Sequence, residues 1–250
     1  MRKTITIYLA ICICTLSLSP FVLGETLTNL YPTAFERALL YFSTGRWDKV
    51  TPELNNALKE DANEPELLTF IGAFLSVLGD DSQATKFLNS AERATPTVGI
   101  YMLQGDLFRR MKNSKKAEEY YKKALKKQPK SVMAYIGIGK VREQDNKLNE
   151  ALSFYLQALE LNPERVETLI SAGQVEYVLK KYVEASQHFA VAVEKDRGSA
   201  QNHLWYAKAL YASGVKDKGL QQLDRALELD SFLEEAKTLK QKWLAESVLN

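Results

Sequence analysis

The sequence predicts an all-α protein, a right-handed α-solenoid of six helix-turn-helix units followed by a C-terminal capping helix. The first observation is composition: 46% of the 250 residues are hydrophobic, and only 7 are proline and 12 are glycine, as expected of a helical globular chain. The second is an internal repeat of about 34 residues that runs through most of the chain. Two short helices per unit are unstable alone in water, so the units must stack to bury their apolar faces.

The repeat consists of a small residue, a large apolar residue four positions later, and an alanine three positions after that. It is clearest where the pattern starts at Ala84, Ala117, Ala151 and Ala185, which are 33, 34 and 34 residues apart. The small residues let two helix backbones approach closely, and the large residue fills the space beside them. The period predicts six units and a cap, at residues 31–64, 65–97, 98–131, 132–165, 166–199, 200–231 and 232–250.

Glycines and an apolar stripe indicate where helices turn and where the stack ends. Gly45, Gly79 and Gly214 lie between the two helices of their units, where a left-handed residue lets the chain reverse. In the last segment, one side of a predicted helix is charged and the other carries Ala236, Leu239 and Trp243. We expect this helix to cover the end of the last unit.

The first 24 residues are typical of a signal peptide. Basic residues at positions 2 and 3 precede an apolar run, and cleavage is expected after Gly24. We expect residues 25–30 to lead into the first unit, and the protein to be exported to the periplasm. The alternatives are secretion, or anchoring in the inner membrane by residues 4–24, which are uncharged and nearly long enough to span a bilayer. Lipidation at Cys12 or Cys14 is disfavoured because an isoleucine precedes each cysteine.

Composition and motifs exclude several classes of function. A formal net charge of +2 gives no overall field for binding nucleic acid. Both cysteines lie in the first 14 residues, so the rest of the chain has no thiolate metal site and no cysteine nucleophile. The two histidines, His188 and His203, lie in different units and belong to no catalytic or metal-binding motif. We therefore expect no enzymatic activity and no cofactor.

The repeat resembles the tetratricopeptide repeat family, whose 34-residue pattern has bulky, small and proline residues at fixed positions. The fourth unit shows the pattern well, with Tyr135, Gly139, Ala151, Tyr155 and Pro163. The resemblance covers about four-fifths of the chain. The sequence departs from the family pattern at Arg142 and Glu176, where the family has an aromatic residue. We expect Val141 and Val175, one residue earlier, to be buried instead.

The resemblance implies that a partner protein binds along the first helices of the units. By register, this surface has an apolar seam beside the bulky residue that opens each unit, and polar rows one and two turns later. The predicted partner-binding residues are Phe35, Thr69, Met102, Asp106, Arg109, Ile136, Lys140, Ile170, Gln174, Tyr177, Leu204, Lys208 and Tyr211. We expect the seam to be weakest at Thr69 and continuous from Met102 to Leu204. The alternative is that its apolar residues complete the core.

One segment is strongly basic in an otherwise balanced chain. Residues 108–130 contain ten lysines and arginines against two glutamates. The predicted basic patch consists of Lys115, Lys116, Lys122, Lys123, Lys126 and Lys127. It is either the solvated face of a helix, or a docking surface for an acidic protein segment, an anionic glycan or lipid headgroups.

These features together predict a non-enzymatic scaffold or assembly factor in the bacterial envelope. Its partner would be an amphipathic helix or an extended segment of another protein, and no nucleic acid is expected. The architecture is also weakly similar to the pilotins that escort secretins in type IV pilus systems. The alternatives are a regulatory subunit of a cell-wall or secretion enzyme complex, and a scaffold anchored by an uncleaved N-terminus.

Overall fold

The structure, a computed structural model, describes Tyr31 and residues 33–248. The predicted signal peptide, the lead-in at 25–30 and both cysteines lie outside the described residues. Within the described part of the chain, all regular structure is helical, with thirteen α-helices and no strand. The prediction of an all-α protein is confirmed.

The helices follow one another in pairs joined by short turns. They are α1 (Ala34–Ser43), α2 (Trp47–Glu60), α3 (Pro65–Leu78), α4 (Asp81–Ala94), α5 (Val98–Arg110), α6 (Ser114–Lys127), α7 (Val132–Gln144), α8 (Leu148–Leu161), α9 (Val166–Val178), α10 (Tyr182–Lys195), α11 (Ala200–Ala212), α12 (Lys216–Leu229) and α13 (Glu234–Val248). Each odd-numbered helix from α1 to α11 is the first helix of a repeat.

The chain divides into two compact units, with the boundary inside α5, between Leu103 and Gln104. We call the described residues up to 103 unit 1 and those from 104 unit 2. Unit 1 has a core in which Leu54 and Leu67 are buried together with the alanines of α1 and α2. Between α3 and α4 the backbones are close, since a Cβ added at Gly72 would lie 2.6 Å from Leu88 Cγ.

Unit 2 repeats the same packing with aromatic rings. Tyr121, Tyr155 and Phe189 are fully buried, one in each of the second helices α6, α8 and α10. A Cβ added at Gly139 would lie 2.6 Å from Tyr155 Cε1, so the ring occupies the space that a side chain on α7 would need. The glycine-to-aromatic contact is therefore what sets the distance between α7 and α8.

The turn inside every repeat uses one left-handed residue. Gly45, Gly79 and Gly214 have φ of 70°, 84° and 91°, as the sequence predicts. The remaining three repeats place non-glycine residues there, namely Lys112, Asn146 and Lys180, with φ of 57°, 58° and 62°. A left-handed lysine is unusual, so the paired helices determine the backbone at this point even where the residue type does not favour it.

The two departures from the family pattern are accommodated as expected. Val141 and Val175 are buried, whereas Arg142 is half-buried and donates to Glu118 of α6, with 2.6 Å between Nη2 and Oε1. Glu176 is buried, and its Oε2 lies 2.7 Å from Nδ1 of His188. Valine one position earlier thus supplies the apolar contact that an aromatic residue supplies elsewhere.

Helix α13 covers the last pair of unit 2. Ala236 and Trp243 are buried against Leu223 and Ala226 of α12. The ring of Tyr211 stacks on Trp243 with 3.9 Å between the ring centroids. The apolar side of this helix is therefore occupied by the repeat before it.

Candidate functional site

The predicted apolar seam of the first helices is largely core. Ile136 and Leu204 in unit 2 have exposed fractions of 1% and 0%, and Phe35 in unit 1 is also buried. Ile136 packs with Leu169 and other residues of the next repeat, so it bridges repeats inside the core. The prediction that these three residues line an accessible surface was wrong, because the position after the opening residue faces the following helix pair.

The other three seam residues are half-buried. Thr69 donates its hydroxyl hydrogen to the carbonyl oxygen of Pro65, 2.7 Å away within α3. Ile170 packs beside the buried cluster of Phe189 and Ala209, and Met102 is half-buried in α5. A continuous seam from Met102 to Leu204 does not exist.

In the first polar row of unit 2, Asp106 is exposed and the other members are half-buried, and three of the four side chains have partners within the protein. The ammonium group of Lys140 donates to Glu167 at 2.6 Å, and that of Lys208 donates to Glu235 at 2.9 Å. Asp106 accepts a 2.7 Å hydrogen bond from the hydroxyl of Tyr121. Gln174, the fourth member, is half-buried on α9.

Two of the partner groups, Glu167 and Tyr121, have shifted pKa values. The hydrogen bond from Lys140 lowers the pKa of Glu167 below its ordinary value, against the smaller opposing effect of burial. Burial, reinforced by the nearby carboxylate of Asp106, raises the pKa of Tyr121, so that its phenol remains a hydrogen-bond donor. Lys140, Lys208 and Asp106 are thus already engaged within the protein, and the row leaves little charge for a partner.

The second polar row of unit 2 includes an aromatic cluster. Tyr177 meets Trp205 edge to face, with 5.9 Å between centroids. The ammonium group of Lys208 lies 4.0 Å from the centroid of Trp205 and 5.8 Å from that of Tyr177. Trp205 is not among the predicted partner-binding residues, although it immediately follows the seam residue Leu204.

The remaining members of this row are engaged in local contacts. Arg109 Nη2 lies 3.7 Å from Oδ1 of Asp106 on the same helix. The hydroxyl of Tyr211 donates to Glu246 of α13 at 2.7 Å, and its ring is covered by Trp243. Both predicted residues therefore contribute to the structure of unit 2 itself.

Unit 1 carries an exposed apolar surface that contains several aromatic rings. Its rings form a connected cluster, in which Phe42 contacts Trp47, Phe70 and Phe74 with centroid distances of 5.1, 5.2 and 6.1 Å. The exposed fractions of Phe42, Trp47, Val77 and Leu78 are 39%, 57%, 82% and 64%. We call Phe42, Trp47, Phe70, Phe74, Val77 and Leu78 the unit 1 aromatic surface.

The sequence of α3 explains why this surface is apolar. Phe70, Phe74 and Val77 are spaced by four and three residues, so they share one side of the helix. After Glu66, α3 contains no charged residue, and neither does α1 after Arg37. The expectation that the second repeat is the weakest part of the apolar surface was therefore wrong. Although Thr69 is polar, Phe70, Phe74 and Val77 on the same helix are large and apolar.

The basic patch lies on α6. Lys115, Lys116, Lys122, Lys126 and Lys127 are exposed, and Lys123 is half-buried. The ammonium groups of Lys116 and Lys123 lie 4.9 and 4.3 Å from the ring centroids of Phe108 and Tyr120, which stack on each other. These rings are therefore covered by the lysines of the same region.

Among the residues that the structure describes, no group of three or more His, Cys, Asp or Glu side chains is placed to hold a metal ion. None of the described helices combines the length and apolarity needed to cross a membrane.

Comparison with known proteins identifies the repeat. Residues 102–166 match the model of the tetratricopeptide repeat, and no curated protein matches the chain. Among solved structures, the chain is similar to YrrB, described as a TPR protein with an unusual peptide-binding site, with 21% identity, a TM-score of 0.60 and coverage of 75% of this chain and 97% of that chain.

Two other solved structures share the fold. Pseudomonas aeruginosa pilF is 16% identical with a TM-score of 0.69, over 85% of this chain and 96% of that chain. Yeast Tom70 is 18% identical with a TM-score of 0.68, over 89% of this chain and 49% of that chain. Residues 102–166 therefore contain the tetratricopeptide repeat, and the described chain has the TPR solenoid fold, which serves in general as a non-catalytic scaffold for protein interactions.

Proposed function

We propose that this protein is a non-enzymatic scaffold of the bacterial envelope that binds an apolar segment of a partner protein on the unit 1 aromatic surface. The observation that carries the proposal is the exposure of that surface, where Trp47 and Val77 are more than half accessible to water. Monomeric proteins rarely leave large contiguous apolar surfaces uncovered, and those that exist are commonly binding sites.

The chemistry of the surface favours a protein segment as the partner. Tryptophan and phenylalanine supply large rigid contact areas and are frequent among the residues that dominate binding energy. Phe70 and Val77 are seven residues apart, about 10 Å along α3, or two helical turns. A partner helix with apolar residues at positions i, i+3 or i+4, and i+7 would match this length.

The first helices of unit 2 are less suited to the same partner. Ile136 and Leu204 are inaccessible. Lys140 and Lys208 are paired with Glu167 and Glu235, so a partner group would have to replace an existing ion pair to bind them. The similarity to YrrB supports peptide binding by this fold in general, and the side chains of this chain favour unit 1 for it.

The test changes the apolar surface without changing the core. The variant Val77→Asp with Leu78→Asp places two charges on the unit 1 aromatic surface. The matched control, Val178→Asp with Val183→Asp, makes the same chemical change at two exposed residues of unit 2, with exposed fractions of 61% and 56%. Partner proteins retained by each form from an envelope extract are identified by mass spectrometry, and the affinity of the purified partner is then measured.

We expect the unit 1 variant to lose partner binding by roughly a hundredfold or more, because two charges would be desolvated in the contact. The control should bind as the wild type does. Equal losses in both variants, or a loss in the control alone, would contradict binding on unit 1.

The location in the envelope has its own test. Export with cleavage after Gly24 leaves Glu25 as the first residue of the mature protein. The intact mass of the protein purified from its source cells should therefore correspond to residues 25–250. A mass that includes residues 1–24, with the protein in the membrane fraction, would instead support the anchored form.

A further inference from the structure

The basic patch on α6 presents more positive charge than its surroundings neutralise. Both acidic residues of the helix are already paired: Glu118 with Arg142 and Lys122, at 2.6 and 2.9 Å, and Glu119 with Lys123 at 3.5 Å. In contrast, Lys115, Lys126 and Lys127 form no ion pair within the residues that the structure describes, and all three are exposed. The outer side of α6 therefore keeps a net positive charge in a chain whose total is +2.

The flanking turns extend the same charge. Lys112 precedes the helix and Lys130 follows it, and both are exposed without an ion pair among the described residues. From Ser114 to Lys127 the helix is about 20 Å long at 1.5 Å per residue. The positive region is thus a continuous strip along one helix and its two ends.

The side chains of this strip are suited to a diffuse anionic surface. All six residues of the basic patch are lysines, whose flexible ammonium groups act as point charges. Arginine, in contrast, binds a single carboxylate or phosphate through two parallel hydrogen bonds. The aromatic rings near them, Phe108 and Tyr120, are covered by Lys116 and Lys123 and offer no stacking platform. The lysines on α6 therefore form no pocket that would select a single acidic side chain.

We propose that the α6 lysine strip binds the anionic phospholipid headgroups of a membrane surface. Clusters of four to eight basic residues on a helix are attracted to such surfaces, and each residue adds to the binding. The signal peptide or anchor that the sequence predicts within residues 1–24 would bring the chain to a membrane, and this expectation favours lipid over a soluble acidic protein. This contact is separate from partner binding by unit 1 and does not depend on it.

The experiment measures binding of the full chain to vesicles of phosphatidylcholine, with or without phosphatidylglycerol. Any contribution of residues 4–24 to insertion is present with both vesicles, so the ratio of the two partition coefficients isolates the effect of lipid charge. The test variant is Lys115→Glu, Lys126→Glu, Lys127→Glu. The matched control is Lys59→Glu, Lys86→Glu, Lys218→Glu, which gives the same net charge by changing exposed lysines that form no ion pair among the described residues.

We expect the wild type to prefer the anionic vesicles, with a preference that falls as salt is added. The α6 variant should lose roughly tenfold to a hundredfold of that preference, and the control should lose far less. The milder variant Lys115→Gln, Lys126→Gln, Lys127→Gln should fall in between, and far-UV circular dichroism should show all forms folded.

Two outcomes would overturn the proposal. One is an equal loss in the α6 variant and the control, which would mean that net charge alone governs binding. The other is that soluble polyglutamate binds the wild type through the α6 lysines while anionic vesicles do not, which would identify the strip as a docking site for an acidic protein.

Discussion

The first helices of unit 1 and unit 2 occupy the same places in the repeat but present different surfaces. In unit 1, the second half of α3 is entirely uncharged and exposes Val77 and Leu78. In unit 2, the matching part of α7 carries Lys140 and Glu143, which pair with Glu167 and Tyr155. The difference shows that the fold determines which positions face outward, while the local sequence determines what such a surface can bind.

The same contrast explains how similar apolar residues take opposite roles. Ile136 and Val77 are both on first helices, yet the exposed fraction is 1% for Ile136 and 82% for Val77. Position within the repeat, and not hydrophobicity, separates core from surface.

Replacing Ile136 by Asp should destabilise unit 2 by about 4–5 kcal/mol or more, because the variant buries an unpaired carboxylate and removes core contacts. Val77→Asp in unit 1 should change stability by no more than about 0.5 kcal/mol, since that side chain is in water. Urea denaturation followed by circular dichroism measures both. Similar losses for the two variants would show that the division into core and surface is wrong.

Replacing Gly139 by Ala should cost roughly 1–3 kcal/mol, because the new Cβ would lie 2.6 Å from the ring of Tyr155 and force the helices apart. Gly99→Ala in unit 1 is the control. Its Cβ would meet nothing closer than 3.8 Å, and alanine favours the helix by about 0.5–1 kcal/mol. Thermal melts should therefore shift in opposite directions, and a shift in the same direction would contradict the close approach of α7 and α8.

Replacing Tyr155 by Phe should cost about 1–2 kcal/mol, since the 2.7 Å hydrogen bond from its hydroxyl to Glu143 is lost. In unit 1 the matching residue is Leu88, which is buried without any such bond. The companion variant Glu143→Gln keeps an acceptor and should cost less. If Tyr155→Phe unfolds as the wild type does in urea, the bond adds no stability to unit 2.

The smallest effect concerns the pH dependence of unit 2. The pKa of Glu167 is lowered in the folded state, so its ion pair adds stability above the ordinary glutamate pKa, and that stability is lost as the pH falls through the lowered value. Between about pH 6 and about pH 3, the wild type should lose more stability than Glu167→Gln, by no more than about 1 kcal/mol because the side chain is exposed. Urea denaturation at several pH values measures this difference. Identical pH profiles would show that the Lys140 contact is absent in solution.

Most of the fold was predictable because the repeat carries several independent signals. The repeat period predicts that small residues lie at the close helix contacts. These residues are fully buried in the structure: Ala84, Ala117, Ala151 and Ala185. The turn glycines also have the expected left-handed conformation. Lys112 and Lys180 could not be recognised as their equivalents, because lysine does not indicate a left-handed backbone. Asn146 was a weaker signal than glycine, although asparagine does adopt this conformation at helix ends.

The candidate site was predicted less well, for a geometric reason. A shift of one residue turns a helical side chain by about 100°, so a register that identifies the surface helices does not decide which of two neighbouring apolar residues is exposed. Thr69 and Phe70 illustrate this: the prediction followed the polar residue, while the aromatic surface begins at the next one. Trp205 was missed beside Leu204 in the same way.

By itself, the sequence determined the helical repeat, the close contacts between its helices and the excess of lysine on α6. These depend on residue size, spacing and charge, which are local properties of the chain. Only the tertiary structure decided that Ile136 and Leu204 are core, that the unit 1 aromatic surface is exposed, and that Lys140 and Lys208 are neutralised. Each of those outcomes depends on what the next repeat places against the residue, and a helix considered alone has no such neighbour.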